Sequence, residues 1–191
     1  MVDLNSRYIP NGATPIIGII ARYAWWKGYE YLIPSLVQVR ERFPSTFFVF
    51  ANAFGEDKEK IKILMANSFP KSAYVEIPFE ENIFELYHLF DIYVHTPFDS
   101  SVEAFGQTYV EALASGIPSV FTLSGVANEF VQHEYNALTV PHKAIEPLRD
   151  AIIRLIQDLN LRKKVVENGY ESVEPFNLNI FIKKLKDLYF E

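Results

Sequence analysis

Short, nearly unbroken apolar runs alternate along this chain with longer stretches in which apolar residues return at helical spacing. Six runs read as strands: Ile16–Ile20, Thr46–Asn52, Ala73–Ile77, Asp91–His95, Pro118–Thr122 and Ala137–Val140. Most lack the polar alternation of a half-exposed strand, as strands covered on both faces do. The amphipathic segments between them predict helices over Lys27–Arg42, Asp57–Asn67, Ile83–Phe90, Gly106–Ser115 and Ala127–His133. Three more are expected at Ala144–Asp158, Leu161–Tyr170 and Leu178–Phe190. Such alternation builds a parallel sheet. The expected fold is α/β, a Rossmann-like doubly wound parallel sheet of about six strands with helices on both faces, which binds ligands beyond the carboxyl ends of its strands.

Composition narrows the picture. At 191 residues and 49% hydrophobic, the chain can bury one substantial core, and a single domain is expected. A formal net charge of -6 argues against general nucleic-acid binding, which needs a basic face, so any phosphate site is local. Cysteine is absent, which excludes disulfides and thiolate metal sites. The polar start from Met1 to Arg7 is no signal peptide, and no apolar run approaches the ~18 residues of a membrane span. The chain reads as soluble and cytoplasmic.

The richest stretch is Glu103-Ala-Phe-Gly-Gln-Thr-Tyr-Val-Glu111, with Ala-Leu-Ala-Ser-Gly-Ile-Pro following. Gly106 clears space where backbone amides can approach an anion, and the helix behind it presents unsatisfied N–H groups and a positive dipole end. At ~1.5 Å rise per residue, Glu111 falls roughly 7 Å beyond that end, about the reach from a diphosphate to a ribose diol. Glu103 stands on the other side of the phosphate position, where a sugar carried by the diphosphate would lie. The arrangement reads as a nucleotide-sugar clamp. The plainer reading makes Glu103 a helix-start charge and Glu111 part of a solvated face.

Arg22 and Lys27 flank the first strand-to-helix loop, so both reach the same edge of the sheet. A guanidinium fork and a mobile ammonium together suit a diphosphate without a metal, although either is also an ordinary surface charge. Gly125, in Leu123-Ser-Gly-Val-Ala-Asn-Glu129, opens a further small-residue loop at that edge, whose glycine equally suits a simple turn. His88, His95, His133 and His142 show no metal-ligand spacing, and no Asp-x-Asp pair is present. His95 ends a strand and reads as a core or surface histidine, with cleft lining as the alternative. Trp25 and Trp26 read as packing against a neighbouring domain rather than stacking on a ligand.

Together these motifs resemble the carboxyl-terminal domain of glycosyltransferase family 4 (glycosyl transferases group 1), retaining GT-B enzymes that include sucrose-phosphate synthase and bacterial polysaccharide glycosyltransferases. The resemblance runs from a linker-like start at Val2–Pro10 through Gly18, Arg22, Lys27-Gly28, the Glu-x7-Glu pair Glu103 and Glu111, Gly116, Pro118 and the Gly125/Glu129 loop. It implies a linker remnant over residues 1–14, a donor-binding domain over 15–191, and an amino-terminal acceptor domain absent from this chain. It further implies that Arg22 and Lys27 hold the donor diphosphate, Glu111 the ribose hydroxyls and Glu103 the donor sugar. Amides around Phe105, Gly106, Gln107 and Thr108 would complete these contacts, and the base is expected near Ile77-Pro78-Phe79.

The donor implied is a UDP-, GDP- or ADP-sugar, with no obligatory metal or other cofactor. Transfer would proceed with retention to a sugar or lipid-linked acceptor held by the missing domain, and the isolated domain would be nearly inactive. The whole enzyme would have no transmembrane segment but could sit peripherally on a membrane. The sequence departs from the resemblance where Val126 follows Gly125 and Asn128 replaces a proline. The rival reading is a non-catalytic nucleotide-binding or regulatory α/β module. A receiver-type module is disfavoured because Arg22 follows the first strand where an acidic cluster would stand.

Overall fold

The computed structural model describes residues 3–190. Val2, in the segment expected as linker, and Glu191, at the end of the expected domain, lie outside the described residues. Six strands form one sheet: β1 (Ile16–Ile20), β2 (Phe47–Ala51), β3 (Tyr74–Ile77), β4 (Ile92–His95), β5 (Ser119–Phe121) and β6 (Leu138–Thr139). Their order is β3-β2-β1-β4-β5-β6, and every pairing is parallel. The order reverses beside β1, between its partners β2 and β4, which leaves a crevice at the carboxyl edge there.

Alternation along each strand sorts the apolar residues into two cores. Ile17, Ile19, Phe48, Phe50, Ile92 and Val94 join one, while Ile20, Phe47, Val49, Tyr93 and Phe121 join the other. The first is covered by α2 (Tyr29–Arg42), α3 (Lys58–Ser68) and α7 (Ile145–Gln157) through Leu32, Leu36, Met65, Ile152 and Leu155. The second is covered by α4 (Ile83–Tyr87), α5 (Gln107–Ala114) and the end of α8 (Leu159–Val173) through Tyr87, Tyr109, Leu113 and Val173. Each fully buried Phe or Leu side chain contributes roughly 1.5–3 kcal/mol relative to exposure.

Some boundaries differ from expectation, for identifiable reasons. The segment read as linker contains a one-turn helix, α1 (Leu4–Tyr8), capped by Asp3 and docked through buried Leu4. The helix α6 (Ala127–Phe130) stops short of His133, because buried Asn136 draws the chain away. The Asn136 side chain accepts from the Gln132 amide and donates to the Phe130 carbonyl and Ser172 hydroxyl. In contrast, α8 starts early because Asp158 caps it by accepting from the Leu161 amide at 2.9 Å. The last helix, α9 (Leu178–Phe190), leaves Leu178, Phe181, Ile182, Leu185, Leu188 and Tyr189 exposed. Among the described residues, no helix is long and apolar enough to cross a membrane.

Candidate functional site

The loop leaving β1 is pinned to its neighbours before it delivers Lys27. The Tyr23 amide donates to the Phe54 carbonyl, and the Asp57 amide donates back to the Tyr23 carbonyl. A 3-10 turn over Trp25–Lys27 then ends at Gly28, with φ of 75°. Any side chain at Gly28 would put its Cβ 2.0 Å from the Thr96 carbonyl oxygen, so glycine is required both for the left-handed backbone and for the close approach to the end of β4. That approach carries Lys27 to Glu103. Its ammonium lies 2.5 Å from Glu103 Oε1, with the two side chains 15% and 12% exposed.

Glu103 is fixed from several directions. Its backbone amide donates to Ser124 Oγ at 3.0 Å, in the loop after β5. Gly125, at φ 58°, packs so closely there that a Cβ would lie 2.8 Å from the Phe105 carbonyl oxygen and 2.9 Å from that of Glu103. The Val126 amide donates to the Phe105 carbonyl. Gly125 therefore locks the Glu103 loop, a stronger role than a simple turn. On the side chain, His95 Nε2 lies 3.1 Å from the same Oε1 that meets Lys27. Burial raises the cost of charge on Glu103, but the bonds from His95 and Lys27 outweigh it and hold the carboxyl at about 2. An ionised carboxylate only accepts, so His95 must carry its proton on Nε2.

The chain enters α5 from Gly106, at φ 86°, and the Tyr109 amide donates to the Gly106 carbonyl, leaving the Gln107 and Thr108 amides without intrahelical acceptors. Gln107 and Thr108 occupy that turn, while Phe105 stays exposed with its ring edge-on to Phe176. One turn further, Glu111 accepts from the Tyr87 phenol at 3.1 Å and from Gln107 Nε2 at 2.8 Å. Tyr87 is fully buried, and desolvation keeps its phenol protonated as a donor. The carboxylate is thus oriented rather than left as a loose surface charge.

The structure brings Lys27, Glu103, Gly106 and the Gly125 loop into one cluster of contacts at the carboxyl edge, and sets Glu111 on the helix leading away from it. Arg22 does not touch the other candidates. Its guanidinium lies 3.3 Å from Glu56 in the loop after β2, with both side chains about half exposed. His95, by contrast, belongs to the cluster although sequence reasoning set it aside. It is 2% exposed, so the core reading describes its burial, but its ring nitrogen faces Glu103. Its position at the end of a strand was the available signal. Tyr87 and Ser124 gave none, since each acts through a partner 24 and 21 residues away. Where the base was expected, Ile77 closes β3 and is buried while Phe79 is 75% exposed.

Comparison with known proteins identifies relatives of this chain. A glycosyltransferase of Methanocaldococcus jannaschii, MJ1069, is 27% identical over 173 residues, covering 89% of this chain and 43% of that protein. A glycosyltransferase from Rickettsia africae ESF-5 shares the fold with a TM-score of 0.85 at 24% identity, over 97% of this chain and 50% of that one. Anabaena Alr3699/HepE, whose structure was solved in complex with UDP and glucose, gives 0.84 at 22% identity, again over 97% and 50%. The chain therefore spans about half the length of these relatives, or somewhat less. The six-stranded Rossmann-like sheet is that of GT-B glycosyltransferases. The family described as Glycosyl transferases group 1 matches over residues 6–172, a span that holds every strand together with Lys27, Glu103 and Glu111, and the chain belongs to that family.

Proposed function

We propose that this chain is the donor-binding half of a retaining, family 4-type hexosyltransferase that moves a sugar from a nucleoside diphosphate to a sugar or lipid-linked acceptor. The observation that carries the reading is the Lys27–Glu103 contact at 2.5 Å, set one helical turn and more before an oriented Glu111. A partly enclosed carboxylate, then a cation with the open amides of α5, then a second carboxylate would meet in turn the sugar, the diphosphate and the ribose of such a donor. Lys27, Arg22 and the α5 amides would neutralise the charge developing on the departing diphosphate, which is the main task in a transfer without a metal. Glu103 would hold the donor sugar and Glu111 the ribose.

No separate nucleophile is assigned. Glu103 accepts two hydrogen bonds on one oxygen, and no neighbouring base is needed to keep it ionised. Retention then fits departure and attack on one face of the sugar, with the diphosphate assisting the acceptor. The acceptor would arrive on a second domain closing over the carboxyl edge, and closure would exclude water. The exposed apolar face of α9 suits contact with that domain. On this reading the isolated domain binds donor but scarcely turns it over, and the whole enzyme works in the cytoplasm on polysaccharide or glycolipid.

Calorimetric titration of the chain with UDP, GDP and ADP, each with and without magnesium, tests this. Saturable binding of one nucleotide without the metal is expected, and the complex of the Anabaena protein makes UDP the first to try. A folded chain that binds none of the three would sink the reading.

A further inference from the structure

We propose that His95 is a positioning residue for the donor sugar, holding the Glu103 carboxylate so that Oε1 is engaged by the protein and Oε2 faces a sugar hydroxyl. The inference rests on the donor-site reading above. Both His95 Nε2, at 3.1 Å, and Lys27 Nζ, at 2.5 Å, meet Oε1, and no described residue donates to Oε2. A carboxylate held by one oxygen keeps the other as a directed acceptor. Were either donor on Oε2 instead, it would occupy one of the two lone-pair directions that oxygen offers a sugar hydroxyl.

The histidine is the rigid member of the pair. Its ring lies parallel to Tyr93, with centroids 6.4 Å apart and planes 10° apart, and meets the edge of Tyr109 at 4.9 Å. Its backbone carbonyl accepts from the Thr122 amide, which ties the end of β4 to β5. Lys27, on a flexible stem, has three N–H groups and can turn toward a diphosphate. If it does so, His95 is the group that still fixes Glu103.

The tautomer follows from the surroundings. The groups facing His95 are Glu103 from the loop before α5, Lys27 from the first loop, Tyr93 on its own strand and Tyr109 from α5. Burial disfavours the imidazolium and Lys27 opposes it further, outweighing the pull of Glu103, so the ring is neutral and donates from Nε2. A histidine merely filling the core would need no such direction. The two roles separate on ligand binding.

The test compares UDP with UDP-glucose by calorimetry on the unsubstituted chain, His95→Phe, His95→Gln and Glu103→Gln. UDP affinity is expected to stay within about twofold throughout, while UDP-glucose affinity falls about 5- to 10-fold in His95→Phe, the size of one lost directed hydrogen bond. His95→Gln, which keeps a donor, should recover most of that. A UDP-glucose affinity unchanged in His95→Phe but lowered in Glu103→Gln overturns the role of His95 and leaves the donor site standing. Equal losses for UDP and UDP-glucose point to a packing role and overturn it too. A chain that binds none of UDP, GDP, ADP or their glucose conjugates removes the donor site and this role together. Should His95→Phe fail to fold, nitrogen-15 spectra of the unsubstituted chain decide: a neutral Nε2–H ring at about pH 7 is expected, and an Nδ1–H or doubly protonated ring overturns the proposal.

Discussion

Lys27 and Glu103 stand 76 residues apart in sequence and 2.5 Å apart in space. The contact depends on two close backbone approaches, Gly28 against Thr96 and Gly125 against Glu103. Without a ligand the lysine partly neutralises the carboxylate. On the proposed function a bound diphosphate would share the same ammonium. Lys27→Ala is therefore expected to weaken UDP binding about tenfold or more, through loss of a charge-assisted contact, and to leave uridine unaffected. Equal weakening of UDP and uridine in a calorimetric comparison would remove Lys27 from the phosphate.

Arg22 offers a contrast. Its pairing with Glu56 is exposed on both sides, and exposed pairs contribute about 0–1 kcal/mol. Arg22→Ala should leave chemical denaturation nearly unchanged while lowering UDP affinity, because the guanidinium is free to swing from Glu56 to a phosphate. A variant with unaltered UDP affinity would make Arg22 a surface charge only.

Most of the fold was legible because buried parallel strands write themselves as apolar runs and their covering helices as amphipathic ones. All six strands lie within the predicted stretches. The candidate site was legible where it depends on local spacing, as with Gly106 at the start of α5 and Glu111 on that helix, whose relative placement follows from helix geometry. It was not legible where a tertiary approach decides. His95 looked like any strand-end histidine until the loop before α5 folded back over it, and Arg22 could not be seen to face Glu56. Docking of Leu4 and the capture of Asn136 by Ser172 are likewise pairings that no local pattern announces.

Gly28 supplies a test of the architecture. Gly28→Ala places a methyl 2.0 Å from the Thr96 carbonyl oxygen on a left-handed backbone, and both must be relieved by moving the first loop. A loss of about 2–4 kcal/mol in unfolding free energy is expected. Gly12→Ala is the control, since Gly12 also has positive φ, at 80°, but nothing lies within 4 Å of its added methyl. It should cost about 1 kcal/mol, from backbone strain alone. Similar losses for the two would mean that contact with Thr96 contributes little.

The carboxyl of Glu103 is held at about 2, below the ordinary value of 4.5. The folded state thus binds its proton less readily than the unfolded chain. The stability contributed is fully present above about pH 4.5 and is lost as pH falls toward about 2. His95, with its value lowered by burial, acts in the same direction at higher pH: its contribution is present above 6.5 and fades as the solution turns acidic. Glu103→Gln should flatten the acid limb of the unfolding profile between about pH 4.5 and pH 2 by about 1–3 kcal/mol. A parallel profile for the variant would show that the carboxylate is not held as the structure indicates.

Glu111 and Glu103 should separate nucleotide from sugar. Glu111 is oriented by Tyr87 and Gln107, and its assigned partner is a ribose diol, so Glu111→Ala should weaken UDP and UDP-glucose alike by about 1–3 kcal/mol. Glu103 is the proposed partner of the donor sugar, so Glu103→Ala should spare UDP and weaken only UDP-glucose. The two variants together decide which end of the ligand each carboxylate meets. Comparable UDP affinity in Glu111→Ala and the unsubstituted chain would free Glu111 from the ribose, and equal losses of both ligands in Glu103→Ala would move that residue onto the nucleotide. The two results together would reverse the direction in which the donor lies along α5, and with it the side from which an acceptor must approach.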